Sequence, residues 1–347
     1  MKADNPFTLT FGKQPSEYIS RYEDTNTILS TFLAEHPVSQ TYLIEGIRGS
    51  GKTVLMTAIA REIGQNEEWI VVDLNSTQNL MEELAIRLHD ACRRIPDFMK
   101  AGFNISVAGF GIGINADTSL QNYSSMIEDL LSVIVKKKRK VLITIDEVQS
   151  DQSMRHFASE FQLFIRKEYP VFLLMTGLYE NIYAIQNDPA LTFLLRAPKV
   201  ILQPLSIAQI TKQYAAIFRI DRRDANYLAV TTKGYAFAFQ ALGMLYYEYH
   251  DMFSMDEILS RLDDMLDDFV YRKIWGSLSG QDKRVVLALS DNRVKVKDIC
   301  ESLAMSSAVF SRYRDRLLRK GVIVSPERGY ISLALPRFHE VVSLYEE

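Results

Sequence analysis

The chain reads as an α/β protein: a parallel sheet with helices on both faces, then a helical lid, then a small module of three helices and a hairpin. Three observations predict this. Short apolar runs alternate with segments of helical spacing up to about residue 205, a glycine-rich loop follows the first run, and beyond that point the strands give way to helices.

Thr41–Glu45 (TYLIE) is a short apolar run ending at a glycine, and GKTVLMTAIAREIG from Gly51 has helical spacing and stops at Gly64. Trp69–Leu74 (WIVVDL) reads as a buried strand, Leu80–Arg94 as a helix, and Val141–Ile145 (VLITI) as a second buried strand. A helix over Met154–Lys167, a strand over Val171–Met175 and a last strand over Val200–Leu202 complete the series. Strands that alternate with helices pair in parallel, because each crossover helix carries the chain back to the same edge. Phe103–Asn115 (FNISVAGFGIGIN) departs from the pattern and suits an inserted hairpin, either packed on the core or offered to DNA or a neighbouring subunit.

From Ser206 the segments Ile207–Phe218, Ala225–Thr232 and Ala236–His250 have helical spacing and form the lid. Asp251–Asp268 carries seven acidic residues against Arg261 alone, which predicts a solvated helix face joining two modules. Helices over Gly280–Ser290, Val296–Ala304 and Ser306–Lys320, then strands over Val322–Val324 and Tyr330–Leu333, have the layout of a winged helix-turn-helix. A chain of 347 residues exceeds what one core organises, and the modules expected are 1–205, 206–274 and 275–347.

Composition excludes several classes. A hydrophobic share of 47% with 24% charged residues is that of ordinary globular proteins, so extended disorder and fibrous repeats are excluded. A net charge of −3 means that any nucleic-acid surface is local. MKADNPFTLT lacks the apolar centre of a signal peptide and no run approaches a membrane span, so a cytoplasmic location without a membrane partner is expected. Cys92 and Cys300 lie far apart and the five histidines make no HxH or HxxxH pair, which argues against a zinc centre.

Gly46-Ile47-Arg48-Gly49-Ser50-Gly51-Lys52-Thr53 fits the phosphate-loop pattern GxxxxGK[ST]. Its glycines, with Arg48 and Ser50 between them, let main-chain N–H groups turn inward around phosphate oxygens. Lys52 neutralises the outer phosphates, Thr53 offers a hydroxyl to Mg2+, and the following helix points its positive end at the anion. Val141–Ile145 delivers Asp146 and Glu147 at its carboxyl end, where parallel sheets bind ligands. Asp146 is then the magnesium carboxylate, and Glu147 the group that orients and deprotonates the attacking water. The glutamate and the absence of an NKxD motif favour ATP over GTP.

These residues, with the strand VFLLMTG and the helical lid, resemble the AAA+ ATPases, in particular the archaeal-type branch related to origin-recognition initiators. The resemblance covers roughly residues 7–250 and implies a P-loop NTPase fold acting as a homo-oligomer or with a partner ATPase. Phe11–Pro15 followed by Ile19-Ser20-Arg21 looks like the family's N-terminal motif along the adenine, which implies a nucleotide contact for Arg21. It further implies a γ-phosphate sensor at Thr176 and an inter-subunit arginine finger at Arg196. One departure stands out: near Gly234, where the family carries a lid arginine, this chain reads Gly-Tyr-Ala-Phe-Ala-Phe-Gln.

Over Ser306–Lys320, Val309, Phe310, Tyr313 and Leu317 share one helix face, and Ser307, Ser311, Arg312 and Asp315 face away. That outward face suits a major groove of double-stranded DNA, with Arg312 for a guanine edge, Ser307 and Ser311 for phosphates, and Arg328 at the hairpin tip. From Trp275 onward twelve Lys or Arg face nine Asp or Glu, a mild basic balance of +3. Two readings follow: an ATPase working on DNA, as in replication initiation or mobile elements, or an ATP/ADP signalling switch resembling STAND NTPases, whose winged helix packs on its own chain or binds a protein.

Overall fold

The computed structural model describes residues 4–10, 17–95, 120–290 and 292–345. Phe11–Pro15 and the expected hairpin 103–115 lie outside the described residues. The chain divides into two compact units where three modules are expected: a sheet unit of residues 22–45 and 52–201, and a helical unit of 1–21, 46–51 and 202–347. Among the described residues no helix is long and apolar enough to cross a membrane.

The sheet unit runs α1 (Tyr22–Phe32), β1 (Thr41–Glu45), α2 (Lys52–Gly64), β2 (Trp69–Asn75), α3 (Leu80–Arg94), α4 (Leu120–Lys136), β3 (Lys140–Asp146), α5 (Gln152–Arg166), β4 (Val171–Gly177), α6 (Tyr179–Gln186), a 3-10 segment (Pro189–Arg196) and β5 (Lys199–Ile201). All neighbouring strands are parallel, in the order β2-β3-β4-β1-β5. β4 therefore lies between the strand that leads into the phosphate loop and the strand that ends in Asp146. Alternate residues divide between the two faces. Val141, Ile143, Ile145, Leu173 and Met175 join one core with side chains of α3, α4 and α5, whereas Phe172 meets Phe32 of α1 and Trp69. Asn79 accepts from the N–H groups of Met81 and Glu82 to cap α3, and Asp151 caps α5 through Met154.

The helical unit runs α7 (Ile207–Phe218), α8 (Arg222–Thr231), α9 (Ala236–Tyr249), α10 (Met255–Leu266), a π-helical turn (Asp267–Tyr271), α11 (Arg272–Gly276), α12 (Gly280–Leu287), β6 (Val294–Lys295), α13 (Val296–Ser302), α14 (Ser307–Arg319), β7 (Ile323–Val324), β8 (Tyr330–Leu333) and α15 (Phe338–Ser343). β6, β8 and β7 pair antiparallel in that order. The lid and the C-terminal elements share one hydrophobic core, so no break between compact units falls at residue 275, whereas one falls between Ile201 and Leu202, close to the expected end of the first module.

The acidic stretch is a correction to the linker expected there. Ser254 and Glu257 form a reciprocal cap, and α10 buries Ile258, Leu259, Leu262 and Leu266 in the shared core. Its carboxylates occupy the other face, where Asp263 takes both arms of Arg337. Helical spacing of the apolar residues outweighs the charge count. β6 is too short to show in the sequence, and Val309 is 43% exposed instead of facing inward.

Candidate nucleotide site

The loop 46–51 joins β1 to α2, and its conformation needs its glycines: φ is 75° at Gly49 and 93° at Gly51, where an L side chain is strained. Ser50 N–H closes a turn on Ile47 O at 3.2 Å. Three successive carbonyls of the loop then receive donors from within the helical unit. Tyr235 Oη–H donates to Arg48 O at 2.5 Å, Phe237 N–H to Gly49 O at 3.1 Å, and a guanidinium nitrogen of Arg21 to Ser50 O at 3.0 Å. These bonds fix the orientation of the loop peptides, and main-chain N–H groups of such a loop are the usual ligands of an anion. The Ser50 hydroxyl is buried with no hydrogen-bond partner among the described residues, as expected of a group reserved for a ligand.

In the sheet unit Lys52 is the first residue of α2 and is buried, which strengthens its field on any anion at the helix start. Thr53 Oγ1–H donates to Asp146 Oδ2 at 2.7 Å. The other oxygen of that carboxylate accepts the Thr176 hydroxyl, which in turn accepts the Glu147 N–H at 3.1 Å. Thr53 and Asp146 thus present two hard oxygen donors side by side, the set that Mg2+ takes together with phosphate oxygens and water. Glu147 is half-buried and has φ 51°, an uncommon conformation for a non-glycine residue.

The remaining expected residues have these surroundings. Arg21 donates to the loop's main chain at Ser50 O and to Gln203 O at 2.6 Å, which braces the loop. Thr176 is buried and its hydroxyl orients Asp146 and Glu147. Arg196 is exposed at the end of the 3-10 segment, whose start is capped by Asp188. Arg155, the Ala190 N–H and Ser150 hold the Asp188 carboxyl down at about 2. Glu45, at the end of β1, was not expected at all: burial raises its carboxyl above the usual range, opposed by Lys199 at 3.7 Å. An isolated glutamate at a strand end gives no sequence signal of burial.

In the C-terminal elements Ser307, Ser311, Arg312 and Arg328 are all exposed. Arg316 instead grips the buried Asp282 at 2.6 Å, and Arg314 donates to Ser325 Oγ at 3.3 Å. Arg314 and Arg316 are therefore engaged within the fold, and Lys320 donates to Ser277 O at 3.1 Å.

By sequence, residues 268–342 match DUF8462, described as a domain of unknown function, and no curated protein matches the chain. By structure, the chain is similar to the ORC2 protein of Aeropyrum pernix in its ADPNP-ADP complexes, with 16% identity, 96% of each chain covered and a TM-score of 0.59. It is also similar to Cdc6p of Pyrobaculum aerophilum, with 12% identity, 99% of this chain and 97% of that one covered and a TM-score of 0.54. The chain has the parallel-sheet P-loop AAA+ fold of these archaeal ORC/Cdc6 proteins.

Proposed function

We propose that the chain binds ATP with Mg2+ through Gly46–Thr53 and Asp146 and hydrolyses it with Glu147, and that its C-terminal winged helix sets the resulting complex on double-stranded DNA. The observation that carries the first part is the Thr53–Asp146 pair at 2.7 Å, with Thr176 holding the other carboxylate oxygen. Magnesium, when bound, supplies positive charge to the phosphate oxygens. Lys52 adds its own charge at the start of α2, and Thr53 and Asp146 hold the cation. Glu147, fixed through its own N–H, orients a water for in-line attack and takes its proton. Arg196 completes the site of a second copy, so turnover depends on assembly. The nucleotide-bound ORC2 relative supports the nucleotide part.

The test is ATP turnover by wild type and Glu147→Gln, with and without a DNA duplex, at two protein concentrations and low salt. Turnover abolished by Glu147→Gln and raised by DNA and by concentration supports the proposal. An Arg196→Ala variant with undiminished turnover removes the finger role.

A second reading, the ATP/ADP switch, is favoured by one observation. Ile47 of the phosphate loop is half-buried against the core shared by the lid and the C-terminal elements, and a Cβ placed on Gly321 would lie 3.5 Å from the Ile47 Cβ. In that reading nucleotide state governs how the C-terminal module packs, and slow turnover indifferent to DNA is expected.

A further inference from the structure

The lid lacks an arginine near Gly234, and Tyr235 stands next to that glycine. Its ring is buried and its hydroxyl reaches Arg48 O at 2.5 Å. Burial raises the phenol far above its ordinary range, so it stays a donor. Two residues on, in the first turn of α9, the Phe237 N–H has no intrahelical acceptor and uses Gly49 O at 3.1 Å. The fit is close: a Cβ on Gly49 would lie 2.2 Å from the Tyr235 hydroxyl oxygen and 3.2 Å from the Phe237 Cβ.

The same two residues continue into the π-helical turn. The Tyr235 ring stacks on Tyr271 with centroids 6.5 Å apart, and Phe237 meets Phe269 at 5.9 Å. Tyr271 donates its hydroxyl to Pro336 O at 2.5 Å and packs edge-on against Phe338 at 4.8 Å. Lys233, just before the lid glycine, donates to Leu333 O at 3.1 Å and Leu335 O at 3.3 Å. An unbroken run of contacts within the helical unit thus links Arg48 and Gly49 to residues 333–338. π-helical turns inside helices often mark functional positions, and here the Arg272 N–H reaches Asp267 O across the turn.

We infer that Tyr235 is a positioning residue of the phosphate loop, and that through Tyr271 it transmits the state of that loop to the segment Leu333–Phe338. The inference rests on the nucleotide-binding reading of residues 46–53. Phosphate oxygens that engage the loop N–H groups turn the peptides whose carbonyls Tyr235 and Phe237 hold, so α9 and the π turn respond. The contact lies on the carbonyl side of the loop, where a lid arginine would act on the phosphate itself. Energetic coupling of this kind needs a packed element with two arrangements, and that part is assigned to the π turn, which carries both Phe269 and Tyr271.

The test uses the full chain as wild type, Tyr235→Phe and Tyr271→Phe. Each is titrated with a fluorescent ADP, its melting temperature is recorded, and amide exchange of residues 330–345 is followed with and without ADP. Wild type is expected to bind ADP and to change its exchange at 330–345. Tyr235→Phe stays folded with a modestly lowered melting temperature, loses about tenfold in affinity, as one buried hydrogen bond allows, and loses the ADP-dependent change. Tyr271→Phe keeps the affinity and loses only the change. Wild-type affinity in Tyr235→Phe, or an ADP-dependent change that survives in both variants, overturns the inference alone. Absence of ADP binding by wild type overturns the nucleotide reading as well.

Discussion

The Thr176 hydroxyl donates to Asp146 and accepts the main-chain N–H of Glu147, so one buried side chain at the end of β4 orients both acidic residues at the end of β3. Thr176→Val keeps the volume and removes the hydroxyl. The Glu147 N–H loses its acceptor and with it the support for a φ of 51°. We expect about 1–3 kcal/mol less stability in urea denaturation. ATP turnover should fall by tenfold or more with ADP affinity kept. An unchanged turnover rate would remove Thr176 from the site's organisation.

Gly49 and Gly51 both have positive φ but different surroundings. A Cβ on Gly49 would meet the Tyr235 hydroxyl at 2.2 Å, whereas one on Gly51 would sit 3.7 Å from the Ala236 Cβ, an ordinary contact. Backbone strain of about 1–2 kcal/mol is common to both alanine variants. Gly49→Ala should lose more stability than Gly51→Ala and should regain part of it when combined with Tyr235→Phe. Thermal melts of the four proteins check this, and equal losses without rescue would contradict the clash.

Arg316 and Arg312 lie one helical turn apart on α14 and do different work. Removing Arg316 leaves the buried Asp282 carboxylate without its ion pair, which costs about 3–5 kcal/mol. Arg312 is exposed, and Arg312→Ala should leave stability within about 0.5 kcal/mol. If the DNA reading holds, Arg312→Ala weakens binding to a labelled duplex in an anisotropy titration and lowers its salt dependence. A stable Arg316→Ala protein would show that the pair is dispensable.

Asp188 carries a pH prediction. Its carboxyl titrates at about 2 in the fold, chiefly through the hydrogen bond from Arg155, and at about 3.9 when unfolded. A depressed folded value means that its stabilisation is complete above about pH 4 and is lost as pH falls towards 2. The stability gap between wild type and Arg155→Met should therefore be constant from pH 7 to about 4 and close below it, as read from denaturation at each pH. A gap unaffected by acid would detach Arg155 from Asp188.

The phosphate loop and the Asp146-Glu147 pair were legible because their chemistry is local. Glycine at positive φ, a lysine and a threonine at the next helix start and two acids after an apolar run are all visible within a few residues. The order of the strands was not legible, and with it the partnership of Thr176 and Asp146. The register that continues from Ile145 opposite Met175 exists only once β4 pairs with β3. The acidic helix α10 shows the same limit from the other side. Its carboxylates dominate a count of charges, yet Ile258, Leu262 and Leu266 recur at helical spacing and find their core among residues far along the chain. Tyr235 and Arg48 are 187 positions apart, and no property of either residue announces the bond between them. Local propensity and motif spacing selected the elements and the nucleotide chemistry. Which hydroxyls orient the carboxylate, and which side chains brace the loop, depended on the joint burial of distant apolar faces, since only that burial places such polar groups where they must pair with one another instead of with water.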